Sequence, residues 1–147
     1  MAFTVPAAIA ATSSPLISLE LCDARLQEDA RYPWIVLVPR REGLTEIEQL
    51  SAVERALLME EAILAGRAVR AIGEAIGRPV QKLNIASLGN VTSSLHLHVL
   101  GRRADDFSWP SPVWGLGEPS PWGAEQRALA LAAALRTLRS PPPPPGA

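Results

Sequence analysis

The chain has 147 residues, 48% of them hydrophobic and 20% charged, with a formal net charge of −1. A single domain of this length buries about two-thirds of its unfolded surface, and the composition excludes a disordered chain. The near-neutral balance gives no electrostatic ground for nucleic acid or an anionic membrane as a general partner, and the lone Cys22 rules out an internal disulfide.

The opening "MAFTVPAAIAATSSP" is apolar but has no Lys or Arg, and Pro6 interrupts it. It makes a poor signal peptide. No stretch reaches the roughly 18 apolar residues of a membrane span, so a cytoplasmic protein is expected. "ARLQEDARYPWIVLVPRREG" predicts two strands joined by a polar turn. The second, Trp34 to Val38, is a continuous apolar run of the kind buried on both faces. Cys22 reads as a small buried residue and Arg40 and Arg41 as solvated.

A long helix follows. Ser51 and Glu54 form the capping pattern Ser-x-x-Glu, and Thr45 with Glu48 repeats its spacing upstream. Val53, Leu57, Leu64, Ala68, Ile72 and Ile76 recur at helical spacing until Gly77 and Pro79 stop the helix. "VQKLNIASL" is the next strand, Gly89-Asn90 a turn, and "SSLHLHVLG" a further strand, antiparallel to its neighbour. Four prolines and three of the four tryptophans then crowd into "DDFSWPSPVWGLGEPSPWG", which excludes regular structure there. A last amphipathic helix runs from Ala124 to Leu138. The chain reads as one domain over 1–140 with a Pro-rich flexible tail at 141–147. Strand, strand, long helix, strand, strand, loop, helix is an α+β order with an antiparallel sheet.

The chemistry concentrates in the histidine strand. Residues two apart share a face and lie about 7 Å apart, so Ser94, His96 and His98 project to one side, and Leu95, Leu97 and Val99 face the helix layer. Three readings fit. Two histidines can be structural. A His-x-His pair can begin a metal site, but zinc needs about three protein ligands and the chain has no third histidine, so Asp or Glu would have to complete it. Or one imidazole attacks phosphorus while the second donates to a phosphate oxygen. Arg102 joins this face if the strand continues through Gly101; otherwise Arg102 and Arg103 pair with Asp105 and Asp106 at the surface.

The run Ser94-Leu95-His96-Leu97-His98-Val99-Leu100 resembles the signature of the histidine triad (HIT) family, His-φ-His-φ-His-φ-φ with φ apolar. "PWIVLVPRR" is similar to that family's buried strand, "KLNIASLGNVTSS" to its asparagine-bearing approach strand, and "SWPSPVWG" to its Trp-Pro segment. The resemblance spans roughly residues 21 to 115 in the family's order. It implies an α+β sheet of about five antiparallel strands with a long helix and a C-terminal helix. It also implies a homodimeric nucleotide hydrolase or nucleotidyl transferase acting at an α-phosphate, on a dinucleoside polyphosphate or nucleoside phosphoramidate, with no required cofactor or metal. Carried over by position, His96 is the nucleophile, His98 contacts the phosphate, and Asn84 helps to bind the phosphate region. Asp29 would hold the ribose hydroxyls, Thr92 or Ser93 would supply a hydroxyl, and Trp109 would lie near the dimer partner's site. Two positions depart from the pattern. Ser94 stands in place of the first histidine, and a hydroxyl can hydrogen-bond but cannot supply an imidazolium. Trp34 stands in place of a histidine on the buried strand. The first departure keeps open a second reading, a nucleotide-binding or dimeric interaction module without turnover.

Overall fold

A computed structural model describes residues 2–140; the Pro-rich tail lies outside the described residues. Five antiparallel strands form one sheet: β1 (Ser13–Ser18), β2 (Cys22–Gln27), β3 (Trp34–Pro39), β4 (Lys82–Ala86) and β5 (Leu97–Arg102). Their spatial order is β1-β2-β3-β5-β4. Three helices accompany them, α1 (Ala7–Thr12), α2 (Ala52–Ala75) and α3 (Ala124–Leu138), with a 3₁₀ turn at Ile47–Gln49. The α+β class, the antiparallel pairing, the five strands and both long helices agree with expectation.

The expectation from the residues alone missed α1 and β1. "SSPLIS" carries neither alternation nor a β-branched run, and it becomes a strand only by pairing with β2 at the sheet edge, with an irregularity between Pro15 and Ile17. An edge is where a sheet tolerates proline.

All six residues of β3 are buried. Ile35 and Leu37 face the larger core with Leu97, Val99 and α2. Trp34, Val36 and Val38 face a second cluster with Ile9, Tyr32, Leu100 and Val113, against which Phe3, Val5 and Trp114 also pack. Burial on both faces is what a continuous apolar run without alternation demands.

The Ser51–Glu54 box caps α2 in both directions, with Glu54 N donating to Ser51 Oγ and Ser51 N to Glu54 Oε2. The second box is shifted by one residue: Glu46 and Gln49 form it around the 3₁₀ turn, and Gln49 Oε1 accepts from the main-chain N–H of Thr45 and Glu46. Of the expected apolar stripe Ala68, Ile72 and Ile76 are buried and Leu57 and Leu64 pack against the core, whereas Val53 is 78% exposed; the buried face also takes in Leu58, Ala62, Ala65 and Val69. Small residues win the inward face because the helix lies close to the sheet. A Cβ added at Gly66 would sit 2.9 Å from Leu83 Cδ1, and one at Gly101 of β5 would sit 2.5 Å from Val80 Cγ2 and 3.1 Å from Val69 Cγ1.

Glu61 is buried in the middle of α2 and turns its carboxylate on the β1–β2 turn, where Leu21 N and Cys22 N donate to it. Burial first, and this carboxylate second, push the Cys22 thiol far above the usual range. Cys22 is a packing residue, as expected. Arg40 and Arg41 are not merely solvated: Arg40 bonds Asp23 and the carbonyls of Leu19 and Glu20, and Arg41 pairs with Glu54.

Gly101→Ala is expected to cost about 1–3 kcal/mol by overpacking the α2–β5 contact, read as a lower urea midpoint at unchanged m-value.

Candidate functional site

β5 lies between β3 and β4, with His98 opposite Val36 on one side and Ala86 on the other. This register puts His98 on the face away from α2, while Leu95, Leu97 and Val99 enter the larger core. His96 immediately precedes the strand and keeps its alternation, so the two imidazole centroids stand 4.9 Å apart, edge to face. The pairing of the histidines follows directly from period-two geometry.

The two rings have different hydrogen-bond partners. His96 Nδ1 lies 2.7 Å from the Ser94 carbonyl oxygen. A carbonyl only accepts, so Nδ1 carries the proton and Nε2 keeps its lone pair. His98 Nδ1 accepts from the Trp34 indole Nε1–H at 3.1 Å. Indole only donates, so the proton of neutral His98 sits on Nε2. Burial, and then the neighbouring His96, push the His98 pKa down to about 4. His98 is therefore neutral near pH 7, with an Nε2–H to donate.

Both rings line a cleft of about 420 Å³, a volume within the range of small-molecule sites. Its walls are Gln27 from β2, Trp34, the Leu88–Thr92 loop and Trp114. None of these carries a formal charge. Trp114 stands edge-on to His98 with centroids 5.1 Å apart. Among the described residues, no three His, Cys, Asp or Glu side chains gather where they could hold a metal ion.

The residues singled out in the sequence are distributed as follows. His96, His98 and Thr92 line the cleft, whereas Ser93 lines an adjoining one with Thr45, Glu46 and Ser87. Ser94 reaches the site through its main-chain carbonyl. Asn84 lies opposite Leu100 on the histidine side of the sheet, but its Oδ1 accepts from Arg102 Nη1. Asp29 is 2% exposed and stands outside the cleft, accepting from the Arg31 guanidinium and from Ser120 N. Trp109 is also outside the cleft lining, stacked 5.6 Å from the Arg102 guanidinium.

Arg102 corrects the expectation of a surface pair. β5 does continue through Gly101, and Arg102 is 1% exposed. It bonds both Asp106 oxygens, Ser108 Oγ and the Ser111 carbonyl as well as Asn84. Of the two expected pairs, Arg103–Asp105 alone lies at the surface, with the carboxylate 68% exposed. Arg102 is held by the chain and does not line the cleft.

Gln27, Trp34 and Trp114 were not marked in the sequence as cleft residues. Trp34 and Gln27 reach the histidine face only through the β2–β3–β5 register, which no local pattern encodes. Trp114 shares its segment with Trp109, and nothing in the spacing separates the two.

The comparisons agree with this geometry. A model of the HIT domain matches residues 10–105. A histidine triad protein of Bradyrhizobium japonicum superposes with a TM-score of 0.86 at 35% identity, covering 94% of this chain and 99% of its own. One from Sinorhizobium meliloti gives 0.81 at 36% identity, covering 92% and 96%. One from Marinobacter aquaeolei gives 0.82 at 35%, covering 94% and 97%. No curated protein gave a significant match. Sequence, fold and the position of the paired imidazoles thus lead to one assignment: the chain belongs to the histidine triad family.

Proposed function

We propose that this protein is a nucleotide hydrolase or nucleotidyl transferase that works through a covalent nucleotidyl-His96 intermediate. The observation that carries the reading is the opposite tautomers of the two rings, fixed by the Ser94 carbonyl and the Trp34 indole. His96 presents a lone pair and His98 presents a proton, which is the division of labour that attack on a phosphoryl group requires.

In the first step His96 Nε2 attacks the α-phosphorus. A P–N bond forms as the bond to the leaving group breaks, and the leaving group carries off the electron pair and takes a proton from solvent. His98 Nε2–H donates to a phosphoryl oxygen as negative charge builds on it. Water then attacks the phosphorus and gives up a proton to solvent, the P–N bond breaks with its electron pair returning to His96 Nε2, and the nucleoside monophosphate leaves; a hydroxylic acceptor in place of water, losing its proton in the same way, makes the reaction a transfer. The hydrogen bond from His96 Nδ1–H to Ser94 supports the positive charge that nucleophilic attack places on the ring. It comes from the main chain, so the serine in place of the first histidine does not remove it. Thr92 on the cleft wall is the hydroxyl best placed to meet the nucleotide, and Asn84 and Asp29 support the surrounding frame. No metal takes part in this scheme. We also take the protein to be a homodimer, as the resemblance implies.

The uncharged lining bears on the substrate class. A polyphosphate chain brings several negative charges that would be left unpaired there, which is costly wherever water is excluded. A nucleoside phosphoramidate brings a single phosphoryl charge, which N–H donors can meet. The second reading, nucleotide binding without turnover, rests on Ser94 at the first triad position.

Incubation with adenosine phosphoramidate is expected to release AMP and to leave a transient AMP-sized mass adduct on His96. His96→Ala abolishes both, His98→Ala lowers kcat about 10²–10³-fold, and a chelator changes neither. Ser94→Ala costs less than the roughly tenfold set by one lost hydrogen bond. Tight nucleotide binding with no release and no adduct would establish the second reading instead. The phosphoramidate is expected to exceed diadenosine tetraphosphate in kcat/KM by at least about tenfold, a preference of some 1.4 kcal/mol; the reverse order would overturn the substrate assignment. A light-scattering mass decides the oligomeric state.

A further inference from the structure

Trp34 is 6% exposed on a strand buried on both faces, and its indole N–H has one partner among the described residues, His98 Nδ1. Its ring is gripped by three others: Tyr32 at 6.3 Å, Trp114 at 6.1 Å and His98 itself at 5.5 Å between centroids, all edge to face. Val36 and Leu100 complete the cluster behind it. A side chain so packed cannot turn its N–H elsewhere. An indole also differs from an imidazole at such a position in one decisive respect: it does not titrate and it never accepts. A histidine there could donate in one tautomer and accept in the other, and a change in its protonation would pass to its neighbour.

We infer that Trp34 is a positioning residue that holds His98 permanently as an Nε2–H donor toward the cleft, and so denies it a nucleophilic nitrogen. His98 Nδ1 is occupied by the indole proton, and its Nε2 carries the ring's own proton. Of the two imidazoles only His96 retains a free lone pair. The consequence for the chemistry is that a single histidine becomes nucleotidylated, and its neighbour meets the phosphoryl oxygen in the same state across a wide pH range. The inference rests on the reading proposed above for its use in turnover, but the tautomer itself can be measured without turnover.

The surroundings of His98 leave few other groups to set its state. His96 is the titratable side chain that faces it from its own segment. Trp34 and Val36 from β3, Gln27 from β2, Trp114 and the Leu88–Thr92 loop bring no carboxylate, ammonium or guanidinium into the cleft lining. An N–H donor on Nδ1 stabilises the neutral ring, in the same direction as the burial that puts the His98 pKa near 4. Removing the donor must therefore raise that pKa.

The test is Trp34→Phe, which keeps an aromatic ring and removes the donor. Nitrogen-15 NMR of the full chain reads the tautomer directly. Wild-type His98 is expected to show the Nε2–H pattern from pH 5 to 8, with its titration midpoint near 4. In Trp34→Phe both tautomers become populated and the midpoint rises by about one pH unit. With adenosine phosphoramidate kcat falls about tenfold while KM changes less than about twofold. A wild-type His98 protonated on Nδ1 overturns the inference without recourse to any variant, and thus whether or not Trp34→Phe folds. So does a folded Trp34→Phe chain that keeps the Nε2–H pattern, or that shifts it at unchanged kcat. A wild-type chain that releases no AMP but shows the expected tautomer and its loss in Trp34→Phe sinks the functional reading and leaves the role of Trp34 supported.

Discussion

The pairing of β3 with β5 is the constraint on which the rest of the molecule depends. Four residue pairs, from Trp34 with Leu100 to Leu37 with Leu97, join strands more than fifty positions apart in sequence. On one side they carry β2 and β1, and on the other β4. A shift by one residue would exchange the faces of β5, burying the histidines under α2 and turning Leu97 and Val99 toward the cleft. Both faces are apolar along β3 but sharply unlike along β5, so β5 sets the register. The same four pairs bring Trp34 to His98. The site and the core are specified by one set of main-chain bonds.

Close by is a second fixed point, the guanidinium of Arg102. A buried cation is tolerable only when its charge is met and its donors are paired, and here Asp106 supplies both carboxylate oxygens, Asn84 accepts from Nη1, and Ser108 Oγ and the Ser111 carbonyl accept from Nη2. Every one of these partners except Asn84 lies in the segment that leaves β5. A segment too rich in proline to make regular hydrogen bonds is thereby tied to the end of the central strand, and Tyr32 and Trp109 cover the guanidinium from two sides. Trp114, three residues beyond Ser111, closes the cleft. Charge burial does here what a helix or strand does elsewhere.

What was legible in the sequence follows the same physics. The alternation of "LHLHV" places the histidines on one face because that pattern is local, and the unbroken apolar run of β3 announces burial on both faces. Ser51 and Glu54 announce the start of α2 through a contact three residues long. Legibility ends where a residue's role depends on a distant partner. β1 is a strand because β2 is beside it. Ala and Gly, and not Val53, take the inward face of α2 because of the distance to the sheet, which no helical period reports. Arg102 read more readily as half of a surface pair than as a buried cation, since the cage around it is assembled from several segments. Ser94 drew notice for its side chain, whereas its carbonyl, present whatever residue stands there, is what touches His96.

The second apolar cluster adds a consequence of another kind. Around Trp34 it joins Ile9, with Phe3 and Val5 packed on it, to Tyr32, Val36, Val38 and Leu100 in the middle of the chain and to Val113, with Trp114 packed on it, much further along. During synthesis the first of these residues emerge more than a hundred positions before the last, so this cluster cannot close until almost the whole domain has been made. Contacts of such long reach form late. The sheet brings Trp34 to His98, and the packing that locks the indole in place is completed only when Val113 and Trp114 join it.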